Sequence, residues 1–172
     1  RRNKLNSLQS SFEETFGATM ERIEGPKGSK INATKILTWI HLAERPLTVD
    51  EILDALAVKE EDNDLDRDNR QDRGSFLNCC LGLAKIDTET STVRLFHSRL
   101  REYLAGRRKI FEQTLEYGHN YIAHTCLTYL MFRPLTLDVS LQVRKGSPVN
   151  KEQIISRYPL LGYAACQWGH HL

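Results

Sequence analysis

Among the residues of this chain that could do chemistry, His97 has the most informative setting. In Leu95-Phe96-His97-Ser98-Arg99-Leu100-Arg101-Glu102-Tyr103-Leu104, a short β-prone run over 92–96 stops at the histidine and Ser98 opens an amphipathic helix. An imidazole at a strand-to-helix junction can reach outward to another domain. The alternative role for His97 is local: packing against the helix or capping it.

Other groups of reactive residue types are less well arranged. Gly25-Pro26-Lys27-Gly28-Ser29-Lys30 has its glycines three apart and follows a helix. A phosphate loop needs G-x-x-x-x-G-K-[ST] after a strand, so the stretch reads as a linker. His119 and Cys126 lie seven apart and could share a helical face, but His124 points elsewhere and no fourth zinc ligand is in view. Cys166 and His170 form an i, i+4 pair. An apolar helix offers neither a depressed thiol pKa nor an oriented base, so nucleophilic catalysis is not expected there. Asp62-Asn63-Asp64-Leu65-Asp66 opens like a calcium loop, but glycine is missing at the sixth position and glutamate at the twelfth.

Composition narrows the classes further. Hydrophobic residues make up 40% of the 172 and charged residues 27%, enough apolar material for a packed core. The net charge of +2 gives no general drive toward nucleic acid or an anionic membrane. No apolar run approaches the roughly 18 residues that span a bilayer, and no secretory core follows Arg1-Arg2-Asn3-Lys4. Cys79, Cys80, Cys126 and Cys166 sit in apolar helical patterns without a C-x-x-C, which fits reduced, buried thiols in a cytoplasmic protein. The absence of an initiator methionine leads us to expect a piece of a longer polypeptide.

The elements that must position His97 follow from periodicity. Leu8, Phe12, Phe16, Met20 and Ile23 recur at helical spacing within 5–24, and 25–29 ends that helix. A second helix is predicted over about 32–43, with Ile36, Leu37, Ile40 and Ala43 inward and Trp39 beside them; Arg45-Pro46 breaks it. Thr48-Val49-Asp50-Glu51 is a capping box for a helix burying Ile52, Leu53, Leu56 and Ala57. Residues 59–73 are nearly all polar and read as a solvated loop. A third short helix is predicted over 74–84, with Phe76, Leu77, Cys80, Leu81 and Leu83 inward. Around the turn Thr88-Glu89-Thr90-Ser91, 85–87 and 92–96 form a hairpin.

Three helices and then a hairpin is the order of a winged helix. A further helix is expected over 98–106. Beyond about residue 111 the pattern is helical again: Ile122, Cys126, Tyr129 and Leu130 share a stripe, Pro134 ends that helix, and a polar loop runs to Pro148. Two closing helices are expected near 150–157 and 159–171, the second with Leu161, Ala164, Ala165 and Trp168 on one face. The expected fold is mainly α: a linker helix at 1–28, a winged helix at 29–106 and an all-helical bundle at 107–172. DNA binding is not favoured. The third helix carries no Arg or Lys to read bases, and the acidic loop before it repels phosphate. Arg94, Arg99, Arg101, Arg107, Arg108 and Lys109 read as a solvated basic face.

Several short motifs also resemble a known family. Ile36-Leu37-Thr38-Trp39-Ile40 with Ala43-Glu44-Arg45-Pro46-Leu47-Thr48-Val49-Asp50-Glu51-Ile52 resembles the opening of the winged-helix domain in fungal NACHT-type NTPases, which are STAND proteins often ending in ankyrin or WD40 repeats. Cys80-Leu81-Gly82-Leu83 resembles that domain's third helix, and 97–104 resembles its following helix. Cys126-Leu127-Thr128-Tyr129-Leu130 and Tyr158-Pro159-Leu160-Leu161-Gly162-Tyr163-Ala164-Ala165, with Trp168 and His170, resemble the helical domain that follows.

The resemblance implies a non-catalytic regulatory module of fungal innate-immunity signalling. Its partners would be an upstream NACHT nucleotide-binding domain and a downstream repeat domain. It implies no cofactor for this stretch, which lacks the phosphate loop and magnesium carboxylate, and ADP or ATP in the parent protein. It implies that His97, with Arg99 nearby, senses the nucleotide phosphate; Arg99 departs from the small or hydroxylated residue usual there. The alternatives are an interaction scaffold without a nucleotide link and a DNA-binding winged helix.

Overall fold

The computed structural model of the chain describes residues 2–24, 27–106, 118–137 and 151–172. The predicted helical stretch from Phe111 to Tyr117, the polar loop toward Pro148 and the turn at Gly25-Pro26 lie outside the described residues. So do the side chain of Leu8 and the basic residues Arg107, Arg108 and Lys109.

Helix α1 (Arg2–Glu24) buries Phe16, Met20 and Ile23, as their spacing predicts, while Phe12 stays partly exposed. Helix α2 (Lys27–Leu42) starts five residues earlier than expected, so Lys27 and Gly28 open a helix rather than extend a linker. Trp39 does not flank the buried stripe; it is fully buried, edge-on to Tyr121 and Tyr163. Past α2 the chain bends at Glu44-Arg45, and after Pro46 Leu47–Thr48 forms a short strand, β1, absent from the sequence-based expectation.

The capping box at α3 (Val49–Ala57) is present in both halves. The Glu51 amide donates to Thr48 Oγ1 at 3.3 Å, and the Thr48 amide donates to Glu51 Oε2 at 2.7 Å. The predicted third helix is a correction. Only Phe76–Cys80 is helical, as a 3₁₀ turn, and it stops because Leu81 (φ 47°) and Gly82 (φ 84°) turn left-handed. That reversal leaves Leu81 exposed, contrary to its predicted burial, and sends Leu83 back into the core.

The hairpin follows at once. Strands β2 (Ala84–Asp87) and β3 (Thr92–Leu95) pair antiparallel, and β1 adds to the far edge of β3 to give the order β1-β3-β2. Asp87 Oδ1 accepts from the Glu89 and Thr90 amides and so shapes the tip. The Val49 amide donates to the Ser91 carbonyl, tying the wing to the start of α3. Helix α4 (Ser98–Gly106) buries Leu100 and Leu104. This is a winged helix.

The helical unit comprises α5 (Gly118–Leu130), α6 (Lys151–Arg157), α7 (Leu161–Gln167) and a terminal 3₁₀ turn, Trp168–His171. Pro134 does not end α5. The helix stops at Leu130, and Pro134 lies inside a new helical stretch, 133–137, near its first turn, where a missing amide hydrogen is harmless. In α7 the predicted face is only partly right: Ala164 and Tyr163 are buried, while Ala165 and Cys166 are exposed. Cys166 therefore departs from the expected buried thiol, whereas Cys80 and Cys126 are buried and Cys79 is half-buried; all four are free.

One hydrophobic cluster runs from Phe16 and Ile36 through Leu53 and Val93 to Tyr129 and Tyr163. The winged helix and the helical unit thus share a core. Gly118 permits close approach at their seam, since a Cβ there would stand 2.7 Å from Leu42 Cδ1.

Candidate functional site

His97 follows β3 by two residues and immediately precedes α4. Phe96 is anchored by its amide to the Leu83 carbonyl, so its ring projects outward, 61% exposed. The Leu100 amide bonds to the His97 carbonyl, the first turn of α4. The His97 ring then folds back as a cap: the Arg99 amide donates to Nδ1 at 3.1 Å. A nitrogen that accepts carries no hydrogen. In this arrangement the neutral ring therefore bears its proton on Nε2, which becomes the free donor end.

The structure brings the two predicted site residues together over a third. The rings of His97 and Phe12 lie 5.5 Å apart, and the Arg99 guanidinium sits 5.5 Å from the Phe12 ring centre. Sequence reasoning placed Phe12 in a buried stripe and missed this contact. Its signal was position: among Phe12, Phe16, Met20 and Ile23 it lies farthest from α2, where a core residue has least to pack on. His97 is half-buried by this stacking and does not enter the core.

Beside α4 lies a cleft of about 500 Å³ with an apolar floor that includes Ile40, Val93 and Leu95. Arg45, Arg94 and Arg101 line it, but their charges are unequal in availability. Arg45 is held by both carboxylate oxygens of Glu51, and Arg94 pairs with Asp87 at 3.3 Å. The Glu51 hydrogen bond raises the Arg45 pKa further above its ordinary value.

A second polar site lies deep at the seam. Tyr129 Oη donates to Asp54 Oδ2 at 2.5 Å, and Arg70 Nε stands 3.1 Å from Asp54 Oδ1 while also reaching Asp50. Asp54 is 1% exposed. Burial pushes its carboxyl pKa above the usual range even though Tyr129 and Arg70 pull it down. The acidic loop is therefore not merely solvated. Leu65 is buried, Arg67 donates to the Arg157 carbonyl, Tyr158 donates to Asp64, and the Arg133 amide donates to the Asn63 carbonyl. These bonds strap the loop to the helical unit.

The remaining candidates separate. His119 turns to His171 rather than toward Cys126, which is fully buried, and His124 is exposed beside Thr128. Among the described residues no group of three or more His, Cys, Asp or Glu is placed to hold a metal ion. Cys166 on α7 and His170 on the closing turn are both exposed. No helix of the described residues is long and apolar enough to cross a membrane.

Comparison with known proteins agrees with this architecture. The chain is 29% identical over 181 aligned residues to "Azaphilone pigments biosynthesis cluster protein L" of Monascus ruber, an alignment covering 97% of this chain and 36% of that protein. The chain thus spans little more than a third of that relative's length. No solved structure matches. The family model described as "GPI inositol-deacylase, winged helix domain" matches residues 20–116, from the end of α1 past α4, and the chain belongs to that winged-helix family.

Proposed function

We propose that this chain is a non-catalytic, signal-transmitting module of a NACHT-type STAND NTPase. It couples the ADP or ATP state of an upstream nucleotide-binding domain to a downstream repeat sensor, in the cytoplasm. Nucleotide is held by the neighbouring domain, with no cofactor in this stretch. The winged helix and helical unit rotate together as one block between closed and open states.

The observation that carries the reading is the His97 cap. With Nδ1 bound to the Arg99 amide, Nε2–H is the donor at the start of α4, and Arg99 lies beside it over Phe12. A hydrogen-bond donor, a guanidinium and a helix N-terminus together suit a phosphate of a docked partner. The shared core and the Asp54–Tyr129 bond support movement as a block, because they join α3 to α5.

The test uses the full-length protein with its upstream domain. His97→Ala is expected to speed loss of bound radiolabelled ADP and raise basal activation. Unchanged ADP retention and activity would remove His97 from the mechanism. Sequencing upstream of this stretch should also reveal G-x-x-x-x-G-K-[ST].

An interaction scaffold without a nucleotide link is the second reading. It is favoured by Phe96, which is exposed on the wing with Lys85 5.7 Å from its ring centre. Under that reading Phe96→Ala weakens partner capture while His97→Ala does nothing. A DNA-reading role has less support, since the element in the recognition position is a five-residue 3₁₀ turn without Arg or Lys.

A further inference from the structure

The last turn of the chain is held by a line of side chains that the proposed function does not use. His171 is 1% exposed. Its Nε2 lies 2.8 Å from Tyr163 Oη, and its Nδ1 lies 2.9 Å from Nδ1 of His119 on α5. Tyr163 Oη in turn accepts from the Glu44 amide at 3.2 Å, just beyond the end of α2. Three segments that are distant in sequence are therefore joined along one line of hydrogen bonds.

Proton counting gives one arrangement that satisfies the whole line. Tyr163 donates its hydroxyl hydrogen to His171 Nε2 and keeps a lone pair for the Glu44 amide. His171 then carries its hydrogen on Nδ1 and donates to His119 Nδ1, leaving His119 with its hydrogen on Nε2. All of this requires neutral rings. A proton added to His171 Nε2 makes that nitrogen a donor, so the Tyr163 hydroxyl must turn its hydrogen away and lose its acceptor. The added charge then sits on a ring that is 1% exposed, with no carboxylate among its bonded partners.

We propose that the Trp168–His171 turn is an acid-released latch, closed on α5 and the end of α2 at neutral pH and opened by protonation of His171. The charges around the ring lean the same way. Burial comes first in lowering the His171 pKa below its ordinary 6.5, followed by the neighbouring His119 and with His170 adding to it; the Glu44 carboxylate opposes them. Nearby, burial lowers the His41 pKa as well, with Arg101 and His119 contributing, so the charged groups on this side also disfavour a protonated ring. Arg45 stands over the opposite side of the line, 5.2 Å from the Tyr163 ring centre.

The sign follows from linkage. The folded state binds the proton less readily than the unfolded chain, so the closed latch is fully stable above about pH 6.5 and weakens as pH falls below it.

Hydrogen–deuterium exchange of the 172-residue chain between pH 7.5 and 5, corrected for intrinsic rates, reads the opening directly. Amides of 164–171 should lose protection by up to about tenfold per pH unit below the ordinary histidine range, while those of α3 change less. The same change in α3 as in 164–171, or no change in either, overturns the proposal. His171→Gln should abolish the acid-dependent part; an acid response equal to the wild type's overturns it. Should His171→Gln not fold, His119→Gln decides. It removes the partner ring from an exposed position, so 164–171 should already exchange faster at pH 7.5, and wild-type protection there overturns the latch.

Discussion

The starts of α3 and α4 meet the same need with different amounts left over. Each helix begins with backbone amides that have no carbonyl behind them. At α3 the network closes: Thr48 takes the Glu51 amide, Glu51 takes the Thr48 amide, and both carboxylate oxygens of Glu51 also hold Arg45. At α4 a single nitrogen of His97 takes the Arg99 amide and the other nitrogen stays available. A carboxylate used on both oxygens is structural. An imidazole has two ends, so one can serve the fold while the other serves a partner.

The largest effect should come from the closed side, one turn beyond the cap. Asp54→Ala leaves the Tyr129 hydroxyl and the Arg70 guanidinium without their buried acceptor and should cost about 3 kcal/mol in urea denaturation. Tyr129→Phe is gentler but carries a pH signature. The lost hydrogen bond was lowering the Asp54 pKa, so the variant drives it further above 3.8. A carboxyl raised in the folded state contributes stability below the unfolded pKa and loses it as pH rises through the folded one. The variant should therefore lose more stability than wild type on going from acid to neutral pH, the reverse of the histidine latch.

Thr48→Ala removes half of the capping box and should lower stability by about 1 kcal/mol. His97→Ala should cost less, about 0.5 kcal/mol, because one amide loses one cap on a half-buried turn. His97→Asn sharpens the contrast: its side-chain oxygen can restore the cap and the stability, while the ring donor stays absent. If His97 proved costlier to remove than Thr48, its main service would be to the fold.

Legibility in the sequence tracked the range of the interaction. The capping box was readable because its partners are three residues apart. The hairpin was readable from alternation around a polar turn, and the inward faces of α1 and α2 from spacing. β1 was not, since two residues show no period and Leu47–Thr48 becomes a strand only by pairing with Thr92 and Val93. The third helix failed because apolar spacing does not report φ, and the left-handed Leu81–Gly82 step ends the turn early. Cys166 failed because α7 is covered on one side only. That His97 stands at the start of α4 was legible, but not which of its nitrogens caps the helix.

Residue types and their order were enough to settle most of the helices, the hairpin and the histidine at the mouth of α4, because periodicity, caps and turns are decided by neighbours along the chain. Tertiary packing decided the rest: that Tyr129 would find Asp54 across 75 residues, that His119 would find His171 across 52, and that Phe12 would support the His97 ring. Those contacts depend on how one core is shared by distant segments, and no local pattern encodes which distant segment arrives.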